Sequence, residues 1–308
     1  MASSWRSGAD QDSVNLYGAA ALAKDNTLVF FSSHSVQNNT MQASISIKLQ
    51  RWNWAMALFH ALFMTATLIL GNVDLRVTVY EARLTARAET DEPFGLAPVY
   101  DAVGTLPLTI LCALFFLLSS VFHLGNALLW RAEYERRLDL KQTPFRWLEY
   151  FFSAPVMMLT IAYATGIQDA VALFMMSMLV ATTMLFGWLH ELLNRPDPCK
   201  DEWQLPLSQR FAAHILGYIP QLSAWGAVIY TFVRAVTGGE GPPTFVYYIV
   251  AIEAVLFFSF GIAQVVVTLL PPSQFINGEI LYQILSLVSK GLLGLLLLVN
   301  VLALSLFE

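Results

Sequence analysis

Lys290 is the one charge near the middle of an otherwise apolar run, residues 280–306 (ILYQILSLVSKGLLGLLLLVNVLALSL). At 1.5 Å of rise per residue the run is long enough to cross a hydrocarbon core of ~30 Å. An ammonium at that depth costs roughly 2.5–3.5 kcal/mol on insertion scales, so it is normally paired or put to chemical use. One use is nucleophilic: an amine that sheds its proton attacks a carbonyl carbon. The blander use is a helix–helix ion pair with no chemistry. Ser286, four residues earlier, shares a helix face with Lys290 and can hydrogen-bond its nitrogen. Two carboxylates, Glu149 and Glu253, are expected to lie clearly within apolar helices. Depth favours Glu149 as the partner of Lys290, because Glu253 enters its helix from the opposite end.

Histidines form a second constellation. His60, His123, His190 and His214 all fall towards one end of their helices. With Asn53, Ser119 and Asn126, these four histidines are expected to line a hydrated inner cavity able to take up a proton. His190 and His214 fit interhelical hydrogen bonding equally well. No HxxxH or HExxH spacing supports a metal, so none is expected. Bulky residues crowd the helices that would face Lys290: Tyr150, Met157, Met158, Met184, Trp225, Tyr230, Phe257, Phe258 and Phe260. Each alone reads as ordinary packing; together with a buried lysine they outline a pocket.

These side chains need helices to hold them. The chain has 308 residues, 56% hydrophobic and 13% charged, which marks an integral membrane protein. The basic residues are scattered, so no nucleic-acid partner is expected. Cys112 in an apolar run and Cys199 in a polar loop make a structural disulfide unexpected. Residues 1–50 are polar and lack a signal-peptide layout, and they are expected to form a flexible tail. Residues 51–308 then form one all-α membrane domain of seven spans: about 52–71, 102–130, 143–164, 170–193, 208–234, 245–270 and 280–306. Thr143-Pro144 reads as an N-cap followed by a first-turn proline. Residues 131–143, dense in charge, read as a loop. Between the first two spans, LRVTVYEARLTARAE alternates β-branched and polar residues, which predicts a β-ribbon outside the bilayer.

Lysine and arginine placement sets the expected orientation. Arg131, Arg136, Arg137, Lys141, Arg146, Arg195, Lys200 and Arg210 share a side with the N-terminus, against Arg76, Arg83, Arg87 and Arg234 on the other. The N-terminus is therefore expected in the cytoplasm and the C-terminus outside. Asn38-Asn39-Thr40, a glycosylation sequon in the tail, supplies a test.

Seven spans, an inverted orientation and a lysine midway along the last helix resemble the heliorhodopsin family. Arg146-Trp147-Leu148-Glu149-Tyr150 with Ser153-Ala154 resembles that family's counterion motif, and His60, Ser119, His123 and Ser286 match its other polar positions. The resemblance covers about residues 48–308. It implies that Lys290 carries all-trans retinal as a protonated Schiff base and that Glu149 is the counterion. It further implies that Ser119 and Ser286 hydrogen-bond around this pair; of the bulky residues above, Tyr150, Met157, Met184, Trp225, Phe257 and Phe258 are the ones expected to line the pocket. His60, His123 and Asn126 would border a cytoplasmic polar cavity, and the long first loop would support a homodimer. Proton-pumping rhodopsins usually carry acids where this chain has Thr160 and Ser286, so a light sensor is expected, with no enzymatic activity. A light-gated passive proton channel is the alternative, and a non-opsin enzyme or transporter using Lys290 directly is a third reading. No downstream signalling partner can be named.

Overall fold

The protein is described by a computed structural model covering residues 46–86, 93–239 and 241–302. The tail expected over residues 1–50 lies outside these residues up to 45, as does the sequon at Asn38, while residues 46–50 are already helical. The chain parts into two units, Met1–Trp52 and Asn53–Glu308. Of the first, only the helical residues 46–52 are described; all contacts below belong to the second.

The first helix, α1, spans Ser46–Leu70. Two antiparallel strands follow, β1 (Arg76–Ala86) and β2 (Leu96–Pro107), in register from Arg76↔Pro107 to Ala86↔Leu96. The register shifts at Val79/Tyr80, where Val103 is left over and bulges out. The ribbon expected from alternation is therefore present, but β2 also takes residues 102–107, which the sequence assigned to the second span. Gly104 weakens a helix there, whereas Val103 and Thr105 favour a strand with a partner alongside. A backbone bond from Tyr80 to Gln168 at 2.9 Å ties the ribbon to the turn between α4 and α5, defined below.

Helix α2 (Leu108–Leu124) continues through a π-type turn, Gly125–Leu129. The charge-dense stretch after it is a helix, α3 (Arg131–Asp139), and not a loop. Its charges pair one turn apart, Arg131 with Glu135 and Glu133 with Arg136 and Arg137, while Tyr134 and Leu138 turn one face inwards. Hydrogen bonds from Arg136 and then Arg137 hold the exposed Glu133 carboxyl down to about 2. Lys141, at φ 58°, ends the segment.

Helix α4 (Pro144–Ala164) starts at the expected proline, but Thr143 makes no side-chain cap; its hydroxyl and N–H go to Glu191 instead. Asp169 caps α5 (Ala170–Leu193) through Ala172 N at 2.8 Å. A single turn, α6 (Leu207–Arg210), precedes α7 (Ala212–Thr237), then α8 (Thr244–Leu269). The last helix, α9 (Phe275–Leu297), closes in a second π-type turn, Leu298–Leu302. It begins five residues before the apolar run, so it includes Glu279.

Among the described residues, five helices are long and apolar enough to cross a membrane: α1, α2, α5, α8 and α9. Helices α4 and α7 are 21 and 26 residues long and contain Pro155 and Pro220. Many of the large apolar side chains face outward, Leu58, Ile69 and Val255 being more than 60% exposed. That pattern fits a lipid surface and an integral, multi-pass membrane protein. Inside, α2 packs on α4, α4 on α5, α5 on α7 and α8 on α9.

Candidate functional site

Three helices converge on Lys290. Its ammonium, on a side chain 3% exposed, donates to Glu149 Oε1 at 2.7 Å and to Ser286 Oγ at 2.8 Å. Ser119, from α2, donates to the same Glu149 oxygen at 2.6 Å. The Tyr150 ring stands 5.1 Å from Nζ, a cation–π distance, and its hydroxyl donates to Tyr282 O at 3.1 Å. Ser286 reaches the nitrogen because it is one α-helical turn before Lys290. Glu253 is not part of this pair: Ser289 Oγ donates to its Oε2 at 2.8 Å, and Oε1 has no partner among the described residues.

Beside Lys290 lies a cavity between α4, α5, α7, α8 and α9, about 840 Å³ with open solvent at its mouth included. Of the pocket residues expected from sequence, Tyr150, Met157, Met184, Phe257, Phe258 and Ser286 line it. Trp225 does not: it is 1% exposed and packs behind Phe257, ring centroids 5.4 Å apart. Phe260 lines the cavity as well, whereas Met158 is core and Tyr230 is 69% exposed, facing outward. Two glycines shape the wall. A Cβ at Gly187 would stand 2.1 Å from the Trp147 ring, and one at Gly261 would stand 2.2 Å from the Tyr218 hydroxyl. Both positions therefore admit large rings at the cavity edge.

The polar group of His60, His123 and Asn126 expected to line an inner cavity is buried, with both His60 ring nitrogens and His123 Nε2 left without a hydrogen-bond partner among the described residues. His60 and His123 stack with centroids 5.6 Å apart, and His123 Nδ1 meets Asn53 Oδ1 at 2.8 Å. Asn126 accepts from Trp130 Nε1 at 2.8 Å. None of His60, His123 and Asn126 borders the Lys290 cavity, which takes in His214. His190 bonds Thr268 Oγ1 at 2.7 Å.

Sequence reasoning missed a second buried charge cluster. Arg146, 4% exposed, pairs with both Glu191 and Glu279, and its guanidinium lies 3.9 Å from the Tyr282 ring centroid. Tyr134 Oη donates to Glu279 at 3.0 Å, Gln283 Nε2 at 3.1 Å, and Thr143 donates to Glu191. The expectation of only two carboxylates inside helices is corrected: Glu191 and Glu279 are buried too. Spacing held the clue. Glu279 precedes Lys290 by eleven residues, three turns, and with Tyr282, Gln283 and Ser286 it makes one polar stripe along α9.

The heliorhodopsin family model matches residues 49–302. The chain belongs to the heliorhodopsin family. Three solved structures share the fold of this heliorhodopsin. They are a light-driven proton pump from Leptosphaeria maculans (12% identity, 82% of this chain and 95% of that chain, TM-score 0.54); the transmembrane domain of a rhodopsin phosphodiesterase from Salpingoeca rosetta (13%, 83% and 84%, 0.55); and a cyanorhodopsin from the cyanobacterium Tolypothrix sp. NIES-4075 (12%, 83% and 93%, 0.51). No curated protein matches the chain. Membership makes the protein a retinal-binding rhodopsin, with retinal as its chromophore. The residues present fit that group: a buried amine opens on the cavity, and Met157, Met184, Phe257 and Phe258 offer apolar walls to a polyene.

Proposed function

We propose that this heliorhodopsin is a light sensor in which Lys290 holds all-trans retinal covalently, Glu149 is the counterion, and no ion is actively pumped. The observation that carries the reading is the 2.7 Å Lys290–Glu149 pair, closed off by Ser119 and Ser286. Bound there, retinal supplies light absorption and a light-driven change of shape. Glu149 stabilises a positive nitrogen at Lys290 through opposite charge. Ser119 and Ser286 orient that pair, and Tyr150, Met157, Met184, Phe257 and Phe258 exclude water from the polyene. Movement within the cavity biases the packed helices towards a second arrangement, which is the signal.

The counterion assignment has a spectroscopic test. Glu149→Gln removes the charge that stabilises the ground-state cation, so the visible band should move strongly to the red. Glu253→Gln, bonded to Ser289 and not to Lys290, should barely move it. A large shift from Glu253→Gln with none from Glu149→Gln would reverse the assignment.

Lack of pumping has its own support. Thr160 donates to Met157 O at 2.7 Å and offers no carboxylic proton, and no second acid bonds the Lys290 nitrogen among the described residues. Under voltage clamp, light should elicit no steady current. A current that reverses with the proton gradient would favour the passive-channel reading.

The proposed frame is a seven-span bundle of α1, α2, α4, α5, α7, α8 and α9 with a cytoplasmic N-terminus and the ribbon outside. Asn38 should then escape glycosylation in a microsomal insertion assay, and its modification would invert the frame. The ribbon leaves Leu84, Tyr100 and Val103 more than half exposed, an apolar surface suited to a homodimer.

A further inference from the structure

We propose that the cavity selects a retinal bearing a hydroxyl on its ring, and that Gln221 is the residue that recognises it. This rests on the reading of Lys290 as the retinal anchor. Gln221, on α7, is 5% exposed and lines the same cavity as Lys290, yet its Oε1 has no hydrogen-bond partner among the described residues. A buried carbonyl oxygen without a donor is costly, and such groups in native proteins point to an absent partner. Only an O–H or N–H can satisfy it.

Position decides which part of a ligand would supply that donor. Helix α9, which carries Lys290, packs on α8 and α2, whereas α7 packs on α5 and α8. Gln221 therefore lies across the cavity from the lysine. An aldehyde joined to Lys290 uses its oxygen-bearing end there, so the far end of the molecule is the ring. Aromatic groups frame this end. Trp225, one turn after Gln221, packs on Phe257, and Tyr218, three residues before it, stacks on Phe258 with centroids 6.3 Å apart. Unsubstituted retinal is a hydrocarbon at its ring and leaves the Gln221 oxygen unpaired. A ring hydroxyl donates to it, and being carried by the ligand it avoids the entropy cost of trapping a water in the same place. Of the orphaned polar atoms on α4, Trp147 Nε1 and Ser153 Oγ belong to residues that line the cavity, and they share a helix with Glu149 at the lysine end.

The experiment is a competition for chromophore. Full-length protein in membranes made without retinal is offered equal amounts of all-trans retinal and its ring-hydroxylated form, and the captured chromophore is extracted and quantified. The hydroxylated form should be enriched roughly three- to tenfold, the strength of one net hydrogen bond. Gln221→Leu and the nearer-isosteric Gln221→Met should still form pigment with plain retinal but lose the enrichment. Equal capture by the unmodified protein would overturn the inference, whatever the variants do, since a water would then serve Gln221 as well. Enrichment undiminished in a folded variant would overturn it too. Pigment from neither chromophore would overturn the retinal reading itself, a result distinct from pigment formed in equal yield with both.

Discussion

Lys290→Arg should give a folded membrane protein that forms no visible pigment. The guanidinium keeps a positive charge opposite Glu149, but it does not deprotonate and has no amine able to condense with an aldehyde. The substitution thereby separates the two readings that the sequence alone leaves open for this lysine. An ion-pair role tolerates arginine in large part; a covalent role does not tolerate it at all. Lys290→Ala is a poorer test, because it strands the buried Glu149 carboxylate, and breaking such a pair costs about 3–5 kcal/mol. The measurement is absorbance after retinal is added, with thermal unfolding as a control on folding. A visible band in Lys290→Arg would place the covalent anchor on another residue.

Arg146→Met should be the most destabilising single substitution outside the Lys290 cavity. The guanidinium lies between Glu191 on α5 and Glu279 on α9, and its own helix is α4, so one side chain joins three helices. Without it two buried carboxylates face each other with no cation, and the loss should be about 3–5 kcal/mol. Replacing Arg146, Glu191 and Glu279 together by apolar residues of similar volume should recover most of that loss, since the stranded charges go with their partner. Unfolding of the single and triple variants in detergent checks this. A single variant as stable as the unmodified protein would mean that the cluster is hydrated and screened.

The apolar runs made most of the membrane helices legible, because a span must satisfy its own backbone and therefore announces itself by length and hydropathy. The ribbon was legible from period-two alternation. Its full length was not, because residues 102–107 become strand only by pairing with Arg76–Tyr80, a partner about 25 residues away that local propensity does not see. Helix α3 was masked by its charge density, although its Glu133–Arg137 and Arg131–Glu135 spacing is that of a helix surface. Glu279 is not legible because it precedes the apolar run, and the buried polar end of a helix carries no hydropathy signal.

By itself the sequence determined that a lysine sits deep in a membrane helix, that Ser286 shares its face, and that a Glu149-centred motif resembles a heliorhodopsin. These are properties of composition, helical period and a short motif, all local along the chain. Tertiary structure decided the rest: that Glu149 and not Glu253 touches the Lys290 nitrogen, that Trp225 stands behind the cavity wall, and that Arg146 is buried between two acids. Each depends on which faces of separate helices meet. Facing is set by packing between segments far apart in sequence, where a rotation of one residue, about 100°, turns a side chain from cavity to lipid.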